Sequence, residues 1–235
     1  KYNEAKKGTM ESLINGVLFG LNQKNYHIGG FNAYIECSIP RNVGLGSSAN
    51  FDIMIGTIIN HLYNEGQIEN KYLVQIGRFA TNTFYCKPSG LMNECVCCVG
   101  GFIKVDFKDF NSPDIYKLNI DFSNFDYTLC SVNSNLIRSD TTADYDAVPA
   151  EMIKVAHFFK KDVLREVSYD EFMKNYRIVR ARVGDRPALR ALHFFKEEER
   201  VLKQSEALER GDFDTFFKLV RESGNSAFKA LQNIY

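Results

Sequence analysis

Excess charge of one sign is missing from this sequence: 29 Lys and Arg balance 29 Asp and Glu across 235 residues, for a formal net charge of zero. That removes the electrostatic footprint expected of a nucleic-acid binder or of a protein held at an acidic membrane surface. Long apolar runs are missing too. Stretches such as Ile53 to Ile59 fall far short of the roughly 20 residues that span a bilayer. The opening KYNEAKKGTM is polar and lacks a signal-peptide pattern, so a cytoplasmic chain is expected. Six cysteines, three of them crowded at Cys95, Cys97 and Cys98, have neither the spacing of a disulfide framework nor that of a paired C-x-x-C zinc site, and are expected to be buried, reduced thiols. His27, His61, His157 and His193 are scattered without metal-ligand spacing. No internal repeat or low-complexity tract is present.

What is present is a turn, Val43-Gly44-Leu45-Gly46-Ser47-Ser48-Ala49, between a strand-like run and an apolar helix-like one. Gly44 and Gly46 permit backbone angles closed to other residues and let main-chain N–H groups approach an anion without an intervening Cβ. Ser47 or Ser48 would open the following helix, where free amides and the positive end of the dipole favour negative charge. The same pattern also suits a plain helix N-cap, so the turn by itself leaves both readings open. It is neither a G-x-x-x-x-G-K-[ST] loop nor a G-x-G-x-x-G fingerprint.

Around that turn the periodicity predicts a helix over Gly8 to Leu21, a strand over Phe31 to Cys37, and a buried helix over Phe51 to Leu62. A helix over Lys71 to Tyr85, stopped by Pro88 and Gly90, and a short one over Asn93 to Gly100 follow. Phe102 to Phe107 and Tyr127 to Val132 read as strands, the first followed by a polar loop holding Pro113. Beyond a soft boundary near Asn124 the chain turns helical, over Val148 to Phe159, Tyr169 to Val183, Pro187 to Arg210 and Asp212 to Glu222. Phe213, Phe216, Phe217 and Val220 form a stripe expected to be core.

The segment IPRNVGLGSSAN, Ile39 to Asn50, resembles the central phosphate-binding motif of the GHMP small-molecule kinases. KPSGLMNECVCCVGGFIKVDF (Lys87 to Phe107), DYDAVPAEM (Asp144 to Met152), VGDRPALRALHFFKEEERV (Val183 to Val201) and the closing ALERGDFDTFFKLVRESGNSAFKALQNIY narrow the resemblance to galactokinases, in the same order along nearly the whole chain. The resemblance implies an α+β, GHMP-kinase-like two-domain fold. Residues 1–124 would form part of an ATP-binding, βαβ-type N-terminal domain and 125–235 part of a ferredoxin-like C-terminal domain, with the active site between them. Lys1 is not an initiator methionine, and the family's terminal sugar-recognition and Gly-rich motifs are not found, so truncation at both ends is expected.

The implied reaction is transfer of the γ-phosphoryl of ATP, with Mg2+, to galactose. Gly44, Leu45, Gly46, Ser47, Ser48 and Ala49 would wrap the phosphates, and Ser48 would face the metal. The catalytic carboxylate that galactokinases carry after Gly-Ile/Leu-Met is replaced by Asn93, and the Mg2+-binding carboxylate twelve positions upstream by Thr81. Gly90 and Tyr145 match positions that touch the sugar, while Asn135, Ile137 and Arg138 replace a small-residue motif of close relatives. Asp140, Asp144 and Asp146 are read as solvated loop residues without a catalytic role. Loss of the base alone would cost about 10²- to 10⁴-fold. The expected outcomes are therefore a weakened sugar kinase, a catalytically dead sugar- or nucleotide-binding pseudokinase, or an α+β interaction protein whose turn only caps a helix.

Overall fold

The computed structural model describes residues 7–39, 45–87, 89–120, 127–128, 130 and 142–233, with backbone alone at 142–145. Two compact units, 1–119 and 120–235, divide the chain.

In the first unit, helix α1 (Met10–Gln23) starts where Thr9 Oγ1 accepts the Ser12 N–H at 3.2 Å. Its buried face carries Leu13, Gly16, Val17, Gly20 and Leu21. Gly16 is required by close packing, because a Cβ there would stand 2.7 Å from the Ala80 backbone. Helix α2 (Ser47–Tyr63) brings Ile53, Ile55 and Ile59 into the core formed with α1 and α3 (Asn70–Phe79). Each such side chain contributes about 1.5–3 kcal/mol on burial.

Helix α3 runs on into a π-helical turn, Ala80–Phe84, in which the Tyr85 N–H reaches back five residues to the Ala80 carbonyl at 3.0 Å. Phe19, Phe79 and Phe84 stack there with centroids 5.6–5.9 Å apart. A wider turn rotates the residues after it relative to a plain α-helix; Thr81, in this one, is buried. Helix α4 (Met92–Val99) and an antiparallel hairpin of β1 (Phe102–Asp106) and β2 (Asp114–Leu118), in register from Phe102↔Leu118 to Asp106↔Asp114, complete the unit. Leu91, Val74 and Cys95 pack with Ile103, Val105 and Ile115.

The second unit is helical among the described residues: α5 (Thr142–Phe158), α6 (Tyr169–Val183), α7 (Asp185–Glu209) and α8 (Phe213–Ser226), then a π-helical turn Ala227–Leu231. Ser168 and Asp212 cap α6 and α8 through side-chain oxygens, at 3.1 and 3.0 Å from the Glu171 and Thr215 amides. Phe172, Val179, Ala188, Ala191 and Phe195 form the core with Val155 and Ala156. Arg190, fully buried, donates to Glu151 at 2.9 Å and to the Leu231 carbonyl at 3.0 Å, so one guanidinium ties α5 and α7 to the last turn. Arg186 pairs with the same carboxylate. Burial pushes the Glu151 carboxyl up, but the hydrogen bonds and charges of the two arginines outweigh it and hold the group below its ordinary range.

Several expectations are corrected. Residues 31–37 are mostly exposed and form no strand, because no neighbouring strand pairs with them among the described residues. The polar stretch after β1 holds a strand, β2, where a loop was expected. Helix α5 begins at Thr142, inside the anticipated loop, and Pro149 sits within it. Lacking an N–H, Pro149 cannot bond the Tyr145 carbonyl, which makes the sequence look like a helix start near 148. Val220 is exposed while Phe213 and Leu219 are buried. Cys37, Cys86 and Cys130 are exposed, whereas burial raises the thiols of Cys95 and Cys98 to about 11. The expected strand at 127–132 lies largely outside the described residues, and no strand forms at 127–128 or 130.

Candidate active site

The glycine turn meets α2 at Gly46, whose φ of 68° makes it a left-handed N-cap without a side-chain cap bond. Ser47 and Ser48 are therefore the first two residues of the helix, and Gly46 rather than either serine is its N-cap. The first main-chain bond of this turn is Asn50 N–H to the Gly46 carbonyl at 2.9 Å. Among the described residues no hydrogen bond is made by the amides of Ser47, Ser48 or Ala49. Such a set of open donors, at the positive end of a 17-residue helix, is the arrangement that attracts phosphate. Leu45 and Ser47 are exposed, Ser48 is half-buried and Ala49 is buried. Gly44 lies outside the described residues.

Asn93, in the first turn of α4, stands against this bend: a Cβ on Gly46 would lie 3.4 Å from the Asn93 amide carbon. Four residues further on in both elements, Asn50 lies close enough to Cys97 to oppose the rise that burial causes in its thiol. The two helices thus advance in step, and the exposed Asn93 side chain is presented beside the open amides. Its amide donates and accepts hydrogen bonds but takes up no proton at neutral pH.

Thr81 is 2% exposed, and its hydroxyl donates to Asp52 Oδ2 at 2.6 Å. Asp52 stands one helical turn below Ser48 on the same face of α2. Glu94, next to Asn93, accepts from the Ser89 hydroxyl at 3.3 Å. Both carboxylates are 1% exposed, and each keeps one oxygen, Asp52 Oδ1 and Glu94 Oε2, with no hydrogen-bond partner. Burial pushes the Asp52 carboxyl up to about 7, opposed by the Thr81 bond and reinforced by the Glu94 charge. Burial likewise raises Glu94, against weaker opposition from its hydrogen bonds and from the charges of Arg78 and Lys87. No group of three or more His, Cys, Asp or Glu suited to a metal occurs among the described residues. The oxygen donors nearest the turn, on Ser48, Thr81 and Asp52, are of the hard type that Mg2+ takes.

Gly90 is exposed, with open space where a Cβ would stand. Its loop is fixed by reciprocal bonds between Asn82 and the Ser89 main chain, at 2.7 and 3.3 Å. Tyr145 belongs to α5 in the second unit, and its side chain is outside the described residues, as are the side chain of Asp144 and all of Asn135, Ile137, Arg138 and Asp140. Asp146 is exposed on α5. The structure thus brings Gly46 and Asn93 together, and bonds Thr81 to Asp52, one turn along α2 from Ser48. Asp52 and Glu94 were not among the residues expected at the site. Asp52 had one signal in the sequence, a lone acid in the apolar run Phe51 to Ile59, four residues after Ser48. An apolar groove lined by Phe31, Ala33, Thr57, Ile58, His61 and Leu62 lies at the far end of α2 from the turn.

Residues 12–101 match the family of the GHMP kinases N terminal domain. A galactokinase from Lacticaseibacillus paracasei is 31% identical over 201 residues, 84% of this chain and 50% of its own length. One from Clostridium tetani is 27% identical over 210 residues, 88% of this chain and 53% of its own. The chain therefore spans about half the length of these curated relatives. The crystal structure of Lactococcus lactis galactokinase complexed with galactose superposes with a TM-score of 0.73 at 21% identity, covering 98% of this chain and 58% of that one. At that identity the likeness is one of fold. No helix among the described residues is long and apolar enough to cross a membrane.

Proposed function

We propose that this chain, similar to galactokinases along most of its length and to the GHMP kinases N terminal domain over residues 12–101, binds ATP at the α2 turn and transfers the γ-phosphoryl to a sugar hydroxyl, galactose being the substrate the relatives suggest. The observation that carries the proposal is the meeting of the Gly46 bend, with its open amides at Ser47, Ser48 and Ala49, and the Asn93 side chain. Donors fixed in place before the reaction stabilise charge on the transferring phosphoryl without reorganising at that moment. Mg2+ arriving with ATP would neutralise charge on the β- and γ-phosphates. Ser48, Thr81 and Asp52 are the nearby oxygen donors.

Turnover is slow in this proposal. Asn93 can orient the attacking hydroxyl by hydrogen bonding, but the proton has to leave to solvent or phosphate. If the transition state is loose, positioning carries most of the acceleration and the loss is tolerable. A second reading, binding without turnover, is favoured by the same asparagine together with Thr81 in place of a carboxylate. Sugar-dependent ADP release separates the two: the kinase reading expects release that rises when Asn93→Asp and Thr81→Glu are combined. No release from that folded double variant, with ATP and galactose still bound in calorimetry, would reject it in favour of binding alone.

A further inference from the structure

The tip of the β1–β2 hairpin is tied back onto α3. Asp106 and Asp109 accept the Lys108 and Asn111 amides, each at 2.9 Å, and set the course of the turn. Gln75 on α3 reaches across to it, donating to the Phe110 carbonyl at 2.8 Å and to the Asn111 carbonyl at 3.3 Å. These bonds give a defined place to Phe110, an exposed aromatic that belongs to none of the apolar cores.

Arg78 links that ring to the loop before α4. Its guanidinium carbon lies 4.4 Å from the centre of Phe110, and its Nε donates to the Ser89 carbonyl at 3.4 Å. The same carbonyl accepts the Asn82 amide at 3.3 Å, while the Asn82 side-chain oxygen accepts the Ser89 N–H at 2.7 Å. Ser89 is thus held by two side chains from α3 and its π-helical turn. Gly90 beside it has no side chain, and open space surrounds the place where one would stand, so its position has to come from Ser89. On the other side Leu91 is buried against Val74 and Cys95, which anchors the start of α4 independently.

We propose that Arg78, held on the Phe110 ring, is the positioning residue of the Ser89–Gly90 loop, so that the hairpin tip sets where the sugar side of the site stands. The bearing on sugar rests on the reading of Gly90 as a sugar contact. A free arginine side chain has many rotamers, and a single bond from it would order a loop weakly. Stacking on an aromatic face removes much of that freedom before the bond to Ser89 is made. A loop fixed in this way no longer has to be ordered when a ligand arrives, and the gain appears as affinity. The role calls for a guanidinium, whose plane can lie on a ring while one N–H points at a carbonyl; an ammonium supplies charge alone. Arg78 also acts by charge on the buried Glu94 carboxyl, and a lysine could serve that second role. The open amides at Ser47, Ser48 and Ala49 belong to α2, so the hold on phosphate does not depend on this strut.

The test follows hydrogen exchange of the loop by mass spectrometry on the whole chain, alongside calorimetric titrations of galactose and of ATP. Arg78→Met, Arg78→Lys and Phe110→Leu should each speed exchange in the peptide carrying Ser89 and Gly90 by at least about threefold, the equivalent of one cation–π contact at an exposed site. Galactose binding should weaken by a similar factor, with ATP affinity unchanged. Phe110→Tyr keeps the ring face and should match the wild type, as should Lys108→Ala, an exposed neighbour on the same hairpin. Because Phe110 is exposed, its variants read the strut without disturbing the core. Unchanged exchange in the Arg78 and Phe110 variants overturns the proposal. Recovery by Arg78→Lys of what Arg78→Met loses overturns it in favour of a role through charge on Glu94. Faster exchange with unchanged galactose affinity overturns the positioning role at the site. A loosened loop in a chain that binds ATP but no galactose upholds the strut and sinks the sugar reading alone.

Discussion

Replacing Asp52 by asparagine should make the protein more stable above neutral pH and leave it unchanged in acid. In metal-free solution the Asp52 carboxyl, ordinarily at 3.8, is raised by burial to about 7. An acid whose folded value lies above its unfolded value holds extra protons in the native state between those two values. The native state is therefore favoured below about 4, loses stability as the pH rises from about 4 to about 7, and is flat above that. A displacement of roughly three units, at about 1.36 kcal/mol each, gives on the order of 4 kcal/mol. The carbonyl oxygen of the introduced amide would still accept the Thr81 hydroxyl, so the variant avoids the penalty of a buried charge without leaving a hole. Glu94 is the acidic group facing Asp52, and Arg78 and Lys87 act on Glu94 in turn. Urea unfolding of both proteins in EDTA, from pH 4 to pH 8, isolates the effect, because other titrating groups cancel in the difference. The variant should gain nothing at pH 4 and several kcal/mol at pH 8. A difference independent of pH, or a variant weaker than wild type at pH 8, would refute the buried-carboxylate reasoning.

Further outcomes follow from other parts of the structure. Gly46→Ala places a side chain at φ 68°, which costs about 1–2 kcal/mol, and brings its Cβ to 3.4 Å from Asn93; thermal melting should fall by several degrees. Glu151→Gln leaves the buried Arg190 without its carboxylate, and breaking such a pair costs about 3–5 kcal/mol, measurable as a lower urea midpoint. At pH 7 a thiol reagent should label Cys37, Cys86 and Cys130 promptly, while Cys95 and Cys98, raised to about 11, react only after unfolding; mass spectrometry of labelled peptides reads the order.

Helices were legible wherever one face alternates with solvent at helical period. α1, α4 and α6 start or end within about two residues of the positions their patterns predict, because a single stripe of core contacts and a capping residue such as Ser168 define each of them. The alternating run from Phe31 to Cys37 shows the limit of that logic: alternation marks a chain able to pair, while a strand also needs a neighbour, which no local pattern supplies. β2 was hidden for the opposite reason, since Asp114 to Leu118 alternates too briefly next to Pro113 and is recognised only through its partner β1. At the candidate site, Gly46 and its serines could be read from composition alone. Glu94 could not, because its burial depends on the way α4 lies in step with α2 and over Gly77, a tertiary fact with no local signature. The π-helical turn that holds Thr81 is of the same kind, set by the packing of Phe19 against Phe79 and Phe84.

Everything proposed for catalysis depends on the α2 turn holding the phosphates of ATP. Calorimetric titration of ATP into the wild type, Ser48→Ala and Gly46→Ala tests this directly. Binding by the wild type is expected, with affinity weakened at least about tenfold in each variant, the equivalent of one charge-assisted hydrogen bond. Equal ATP affinity in all three folded proteins, or none in the wild type, would contradict it.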